Sequence, residues 1–232
     1  MKKQILRLAF ICFAIILSFQ SKAGDTIVMG VKAGFNISNF RSPQFKASPR
    51  IGLEAAIIAT ERFGKNFNLI VEFNYSQLGA KAKGRTLSDT VFSDYVVQNL
   101  FYNSVGMEAI IDFHLKSQKF SIQGGGVLNG LNWTPKKQLK DPNCFFGNSN
   151  NLDNLISSRL LFDNIKMHPN YSLIFGVSAG NKALRASLRY YLGLWNFYKK
   201  ASMTSDFGAE IKNNAIQLSV SYTVQHIKFV IY

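Results

Sequence analysis

The sequence predicts an all-β fold: an eight-stranded antiparallel transmembrane β-barrel with short periplasmic turns and long external loops. Three observations predict it. The chain opens on an export signal, eight later runs alternate apolar with polar residues, and the connections between those runs alternate between short and long.

Lys2, Lys3 and Arg7 come first, then an apolar block from Leu8 to Leu17, then Ser21-Lys22-Ala23, with no acid before Asp25. A charged start, an apolar stretch and a small-x-small site make a cleaved secretory signal. Cleavage is expected after Ala23, which leaves residues 24–232 as one barrel domain. The apolar block has about half of the ~20 residues that a membrane-spanning helix needs, and no later segment is long and apolar enough to span as one. Of the two cysteines, Cys12 lies inside the signal and Cys144 remains without a partner, so no disulfide is expected in the mature chain.

The chain has 27 Lys and Arg against 13 Asp and Glu, a net charge of +14, and four of the basic residues fall in the signal. No nucleic-acid motif accompanies this charge, and nucleic acid is excluded as a partner. The anionic neighbours of an exported chain are outer-membrane lipid and the phosphates of anionic glycolipid.

The first run is "GVKAGFNISNF", residues 30 to 40, in which Val31, Ala33, Phe35 and Ile37 share one face of an extended chain. The second places Ile51, Leu53, Ala55, Ile57 and Ala59 on one face, and the third Phe67, Leu69, Val71, Phe73 and Tyr75. The fourth has Val105, Met107, Ala109, Ile111 and Phe113. The fifth, Phe120 to Leu128, is interrupted by Gly124, Gly125 and Gly126, where a bulge or a tight spot inside the barrel is expected. Tyr171 to Gly180, Leu184 to Leu192 and Ile216 to Val224 complete eight strands of about ten residues, the length a tilted strand needs to cross a bilayer.

Connections after the second, fourth and sixth strands are short: Glu61 to Asn66, Leu115 to Lys119 and Gly180 to Ala183. Those after the first, third, fifth and seventh are expected to be long loops, the longest from Asn132 to Pro169. Tyr75, Phe101, Tyr102, Phe113, Tyr190, Trp195, Phe197 and Tyr198 are expected to form interfacial aromatic girdles. The apolar face then meets lipid, and a closed barrel satisfies the backbone there.

"GVKAGFNIS", "VEFNYSQLGAK" and "RYYLGLWN" resemble the PorT-type outer-membrane β-barrel family, and the resemblance runs from Ile27 to Val224. It implies an eight-stranded barrel in the outer membrane of a diderm bacterium, often labelled porin-like and without an established substrate. It carries over no catalytic residue. Two departures stand out: no proline follows the leading Tyr of "YNSVGMEAIIDF", and eight residues, "QHIKFVIY", follow "SYTV".

No catalytic, cofactor or metal site is expected. His114, His168 and His226 are far apart in sequence, and Cys144 sits in the turn-rich "DPNCFFGN" without an activating base. One constellation stands out. Lys32, Glu54, Glu72, Glu108, Asp112, Arg185 and Arg189 all fall on the inward face. Eight strands enclose a lumen just wide enough for side chains to fill it. Opposite charges there are expected to pair, each arginine with a carboxylate, because an unpaired buried charge is costly. A narrow polar path for ions is the alternative. The remaining positive charge is expected in external connections: Arg41, Lys46, Lys81, Lys83, Arg85, Lys199 and Lys200, with Lys136, Lys137 and Lys140 as basic contacts of the longest loop. A barrel of structural or binding type follows, its loops touching surface glycolipid or a partner protein. The other readings are a narrow porin-like channel for small solutes and an accessory of an outer-membrane secretion system.

Overall fold

The computed structural model of the chain describes residues 26–42, 46–63, 65–88, 91–115, 119–133, 144–146, 156–157, 170–194 and 211–228. The expected signal, residues 1–23, lies outside them, as do Lys136, Lys137, Lys140, Trp195 and Tyr232.

Ten strands follow in order. They are β1 (Thr26–Arg41), β2 (Ala47–Phe63), β3 (Phe67–Ser88), β4 (Val91–His114), β5 (Phe120–Trp133), β6 (Cys144–Phe146), β7 (Ile156–Ser157), β8 (Asn170–Gly180), β9 (Leu184–Gly193) and β10 (Lys212–Lys228). Eight of them close into a ring: β1 pairs with β2, then β3, β4, β5, β8, β9 and β10 follow, and β10 returns to β1. Every pairing is antiparallel, so each ring strand satisfies its backbone on both sides and the ring has no open edge. β6 and β7 stand outside the ring, β6 against β3 at Arg85 and Thr86, and β7 against β6.

All eight strands expected from alternation are present, and the faces fall as the alternation requires. Phe73 and Val220 are 48% and 49% exposed, whereas their neighbours Glu72 and Ser219 are 0% and 1% exposed. Each ring strand presents a large apolar side chain outward: Val31, Leu53, Phe73, Ile111, Ile122, Phe175, Leu188 and Val220. Phe67 and Phe113 meet at the short-turn end of this belt, ring centroids 4.9 Å apart, and Tyr75 meets Trp133 toward the other end at 6.0 Å. The eight steps of β3 from Phe67 to Tyr75 span about 27 Å along the strand, which at a tilt of about 35–45° rises about 19–22 Å, most of the ~25 Å apolar band of a membrane barrel.

Three expectations are corrected. The connections after β1 and β3 are not long loops: they comprise residues 42–46 and 89–90 only. In "QLGAKAKGRTLS" the alternation persists with Ala80 and Ala82 buried and Lys81 and Lys83 exposed, so Lys81, Lys83 and Arg85 belong to β3 and not to a loop. Lysines replace the apolar residues of the outer face here, and the strand pattern continues beneath them. Tyr102 is not a girdle residue either. It is buried and faces inward, because adjacent residues of a strand point to opposite sides and Phe101 takes the outer one.

The triple glycine makes no bulge. β5 keeps regular register through it, with Ile111 opposite Gly124, Ile110 opposite Gly125 and Ala109 opposite Gly126. The tight spot is Gly125, where a Cβ would come within 2.2 Å of the Ala109 carbonyl oxygen.

The interior is layered. At the loop end Phe40, Leu78, Ala80, Ala82, Leu100, Tyr102, Phe146 and Ile211 make an apolar cluster, with Phe40 and Tyr102 stacked at 6.4 Å. Charged and amide side chains mark the middle, with Ile58, Ile70, Ile110, Val127 and Ile174 buried beside them. The short-turn end is open.

Candidate functional site

The middle layer is built by strand register. Lys32 of β1, Glu54 of β2, Glu72 of β3, Glu108 of β4 and Arg189 of β9 are all buried on the inner face, and Glu72 lies directly opposite Glu108 across the β3–β4 ladder. Two carboxylates side by side on neighbouring strands repel unless cations reach them. Arg189 reaches both. Its Nη2 and Nη1 donate to the two Glu72 oxygens at 2.8 and 3.0 Å, a bidentate fork, and Nη1 also lies 3.3 Å from Glu108 Oε2. Lys32 comes from β1, two strands from β9 on one side and two from β3 on the other: its Nζ pairs with Glu72, stands 2.6 Å from Glu54 Oε1, and lies 3.9 Å from Glu108 Oε2.

Side chains absent from the sequence-level constellation complete the shell. Asn74 Nδ2 donates to Glu108 Oε1 at 2.7 Å, and the Tyr191 hydroxyl stands 3.1 Å from Glu108 Oε2. Arg189 Nε donates to Gln123 Oε1 at 2.8 Å, and Gln123 Nε2 donates onward to Asp112 Oδ1 at 3.0 Å. Each of these residues has the inward parity of its strand, so period two was signal enough to find them. Gly176 is the other silent contributor. It pairs directly with Arg189, and a Cβ on it would meet Arg189 Cγ at 2.8 Å.

Arg185 departs from expectation. It lies four positions before Arg189, about 13 Å along the strand, and it reaches no carboxylate among the described residues. Its Nη2 donates instead to the hydroxyls of Ser178 at 2.7 Å and Ser121 at 2.9 Å. Ser121 in turn donates to Asp112 Oδ1, and His114 Nε2 stands 3.0 Å from Asp112 Oδ2. The expected seven-residue cluster is therefore two groups, a dense ion-pair centre and a looser ring at the short-turn mouth, joined through Gln123.

Below the centre the lumen widens into a cavity of about 820 Å³. Glu72 and Arg189 form its floor, and Arg62, Lys65, Lys119 and Lys182 belong to its rim near the turns. Above the centre lies a void of about 20 Å³, among Asn36, Glu54, Asn74, Asn129, Asn170 and Asn213. That is room for about one water molecule.

The carboxylates of Glu54, Glu72 and Glu108 bring oxygens within 4.8 Å of one another, a spacing that suits a metal ion. Lys32 and Arg189 already contribute their positive charge to these oxygens, so the residues fit an ion-pair core better than a metal centre. Ser121, Asp112 and His114 lie together, but the serine hydroxyl donates to the carboxylate and not to the imidazole. That is the wrong order for a base-activated nucleophile. The loop contacts Lys136, Lys137 and Lys140 lie outside the described residues, as does His168.

No family model matches the chain, and no curated protein matches it in sequence. Among solved structures it is similar to Neisserial surface protein A, with 15% identity and a TM-score of 0.43 over 84% of this chain and 97% of that one. It is also similar to Ail, the attachment invasion locus protein of Yersinia pestis, in complex with the heparin analogue sucrose octasulfate. There the identity is 13% and the TM-score 0.39, over 88% of this chain and 100% of that one. The eight-stranded ring itself stands on the strand pairings described above.

Proposed function

We propose that the chain is an outer-membrane β-barrel of binding type, a sealed membrane-embedded scaffold whose external segments contact anionic glycolipid or a partner protein. One observation carries the reading. The ring is apolar outside on all eight strands and closed inside by hydrogen-bonded ion pairs beneath an apolar cap.

A soluble monomer seldom exposes an apolar patch beyond ~300–600 Å². A belt that runs around every strand of a closed ring is instead what lipid requires. Inside, charged and amide side chains occupy the middle layer between the cavity of about 820 Å³ and the void of about 20 Å³, which speaks against the alternative of a porin-like channel. The long connections after β5 and β9 emerge at the capped end, and under this reading that end faces outward. The resemblance to PorT-type barrels, and with it a role beside secretion machinery, belongs to the same proposal. No enzymatic step is assigned.

Retention of the purified protein on vesicles with and without anionic glycolipid tests the binding half. Lys136→Gln, Lys137→Gln and Lys140→Gln together are expected to weaken retention on the glycolipid vesicles at low salt, and added salt is expected to do the same. Equal retention of wild type and triple variant would remove the loop from the account.

A further inference from the structure

We infer that the blind cavity at the short-turn end is a binding site for a small multivalent oxyanion, a molecule carrying two or more phosphate or carboxylate groups. The site is distinct from the external loops, and it depends on the outer-membrane reading only for the compartment, the periplasm, in which the ligand would be met.

Charge comes first. Arg62, Lys65, Lys119, Lys182 and Arg185 line the cavity, and the acids on its wall among the described residues are Glu72 and Asp112. Glu72 is bound by Arg189 and Lys32, and Asp112 accepts from Ser121 and Gln123 with His114 beside it. Five cations therefore face two carboxylates, one of which is already paired with Arg189 and Lys32, and a low-dielectric blind pocket focuses the positive surplus on whatever anion enters.

Recognition chemistry comes second. The Arg185 guanidinium is half-buried against the inner wall, and the partners of its Nη2 are the neutral hydroxyls of Ser121 and Ser178. A guanidinium fork flanked by serine hydroxyls is suited to a phosphate or carboxylate, to which it donates in bidentate fashion. Arg62 is held near the rim by donation from Nη2 to the Lys65 carbonyl at 3.1 Å.

Size and shape come third. About 820 Å³ exceeds what a single inorganic ion needs, and it falls within the range of small-molecule sites. Cations at both wall and rim favour a ligand with at least two separated anionic groups. The lining among the described residues has no Phe or Trp, its Tyr222 is exposed on the outer face, and the His114 ring is held by Asp112. The cavity thus offers no stacking platform for a base.

Calorimetric titration of the full chain in detergent micelles tests this with tripolyphosphate and citrate as probes and sucrose as the neutral control. One probe or both should bind with one-to-one stoichiometry, and the tighter of the two identifies phosphate or carboxylate as the preferred group. Sucrose should give no signal. Arg185→Gln should weaken binding about tenfold, the loss of one charge-assisted fork. The double variant Lys119→Gln, Lys182→Gln, confined to exposed turn residues, should weaken it as well without touching the fold. Lys81→Gln, at the opposite end, should bind as wild type does. Absence of binding by both probes overturns the inference, as does wild-type affinity in both cavity variants or an equal loss in Lys81→Gln. A conducting or soluble protein would sink the proposed function and leave this titration standing.

Discussion

Arg189 is the residue on which the interior turns, since its guanidinium bridges Glu72 and Glu108 while its Nε holds Gln123. Arg189→Leu leaves three buried carboxylates, Glu54, Glu72 and Glu108, to Lys32 alone. Stranding buried charge in this way costs about 3–5 kcal/mol. Urea unfolding of the refolded variant in detergent should show a loss of that order, and adding Glu72→Gln should recover part of it. Two side chains on the opposite faces test the register. Phe73→Arg places a charge on the lipid face at a cost of ~2–4 kcal/mol and should impair assembly, whereas Ser219→Asn on the inner face should be much milder. Similar assembly yields for the two would mean that the faces are assigned wrongly. At this scale the sequence was informative where parity alone decides. Each arginine was expected to find a carboxylate: Arg189 reaches Glu72 and Glu108, whereas Arg185 finds serines. Parity fixes the side of the sheet, not the height along the barrel axis, and height decided that difference.

The strands were the most legible elements, because a two-residue period survives sequence noise over ten residues. Their ends were not. β3 and β4 reach 22 and 24 residues, and the segment read as a loop after β3 is mostly strand, as is half of that after β1. Lys81 and Lys83 hid the pattern by taking the outward positions where the strand leaves the apolar belt. The glycines of the ladder carried information of another kind. Gly176 lets the stem of Arg189 lie flat against β8, and a Cβ there would also come within 2.7 Å of the Leu188 carbonyl oxygen. Gly176→Leu should therefore displace Arg189 and lower the unfolding midpoint, with Gly124→Ala as a mild control because nothing lies within 4 Å of its added Cβ. A Gly176→Leu protein as stable as wild type would show that β8 shifts to make room.

For the whole molecule, closure and layering matter more than any single contact. An apolar belt outside, an ion-pair centre, an apolar cap at one end and an open basic cavity at the other describe a plugged barrel. The ring could be foreseen from eight alternating runs, but the cap could not. It draws Phe146 from a segment far along the chain and Ile211 from the approach to β10, and local periodicity says nothing about such distant partners. N-terminal sequencing of protein recovered from outer membranes should begin at Gly24; a soluble periplasmic product, or one retaining Met1, would contradict the export reading. The central claim, a sealed barrel in a membrane, is tested most directly by single-channel recording in planar bilayers, with insertion verified by co-flotation of the protein with lipid vesicles. Inserted wild-type protein should show no conductance above the protein-free bilayer. Reproducible unitary conductance steps from inserted wild-type barrels would contradict the plug.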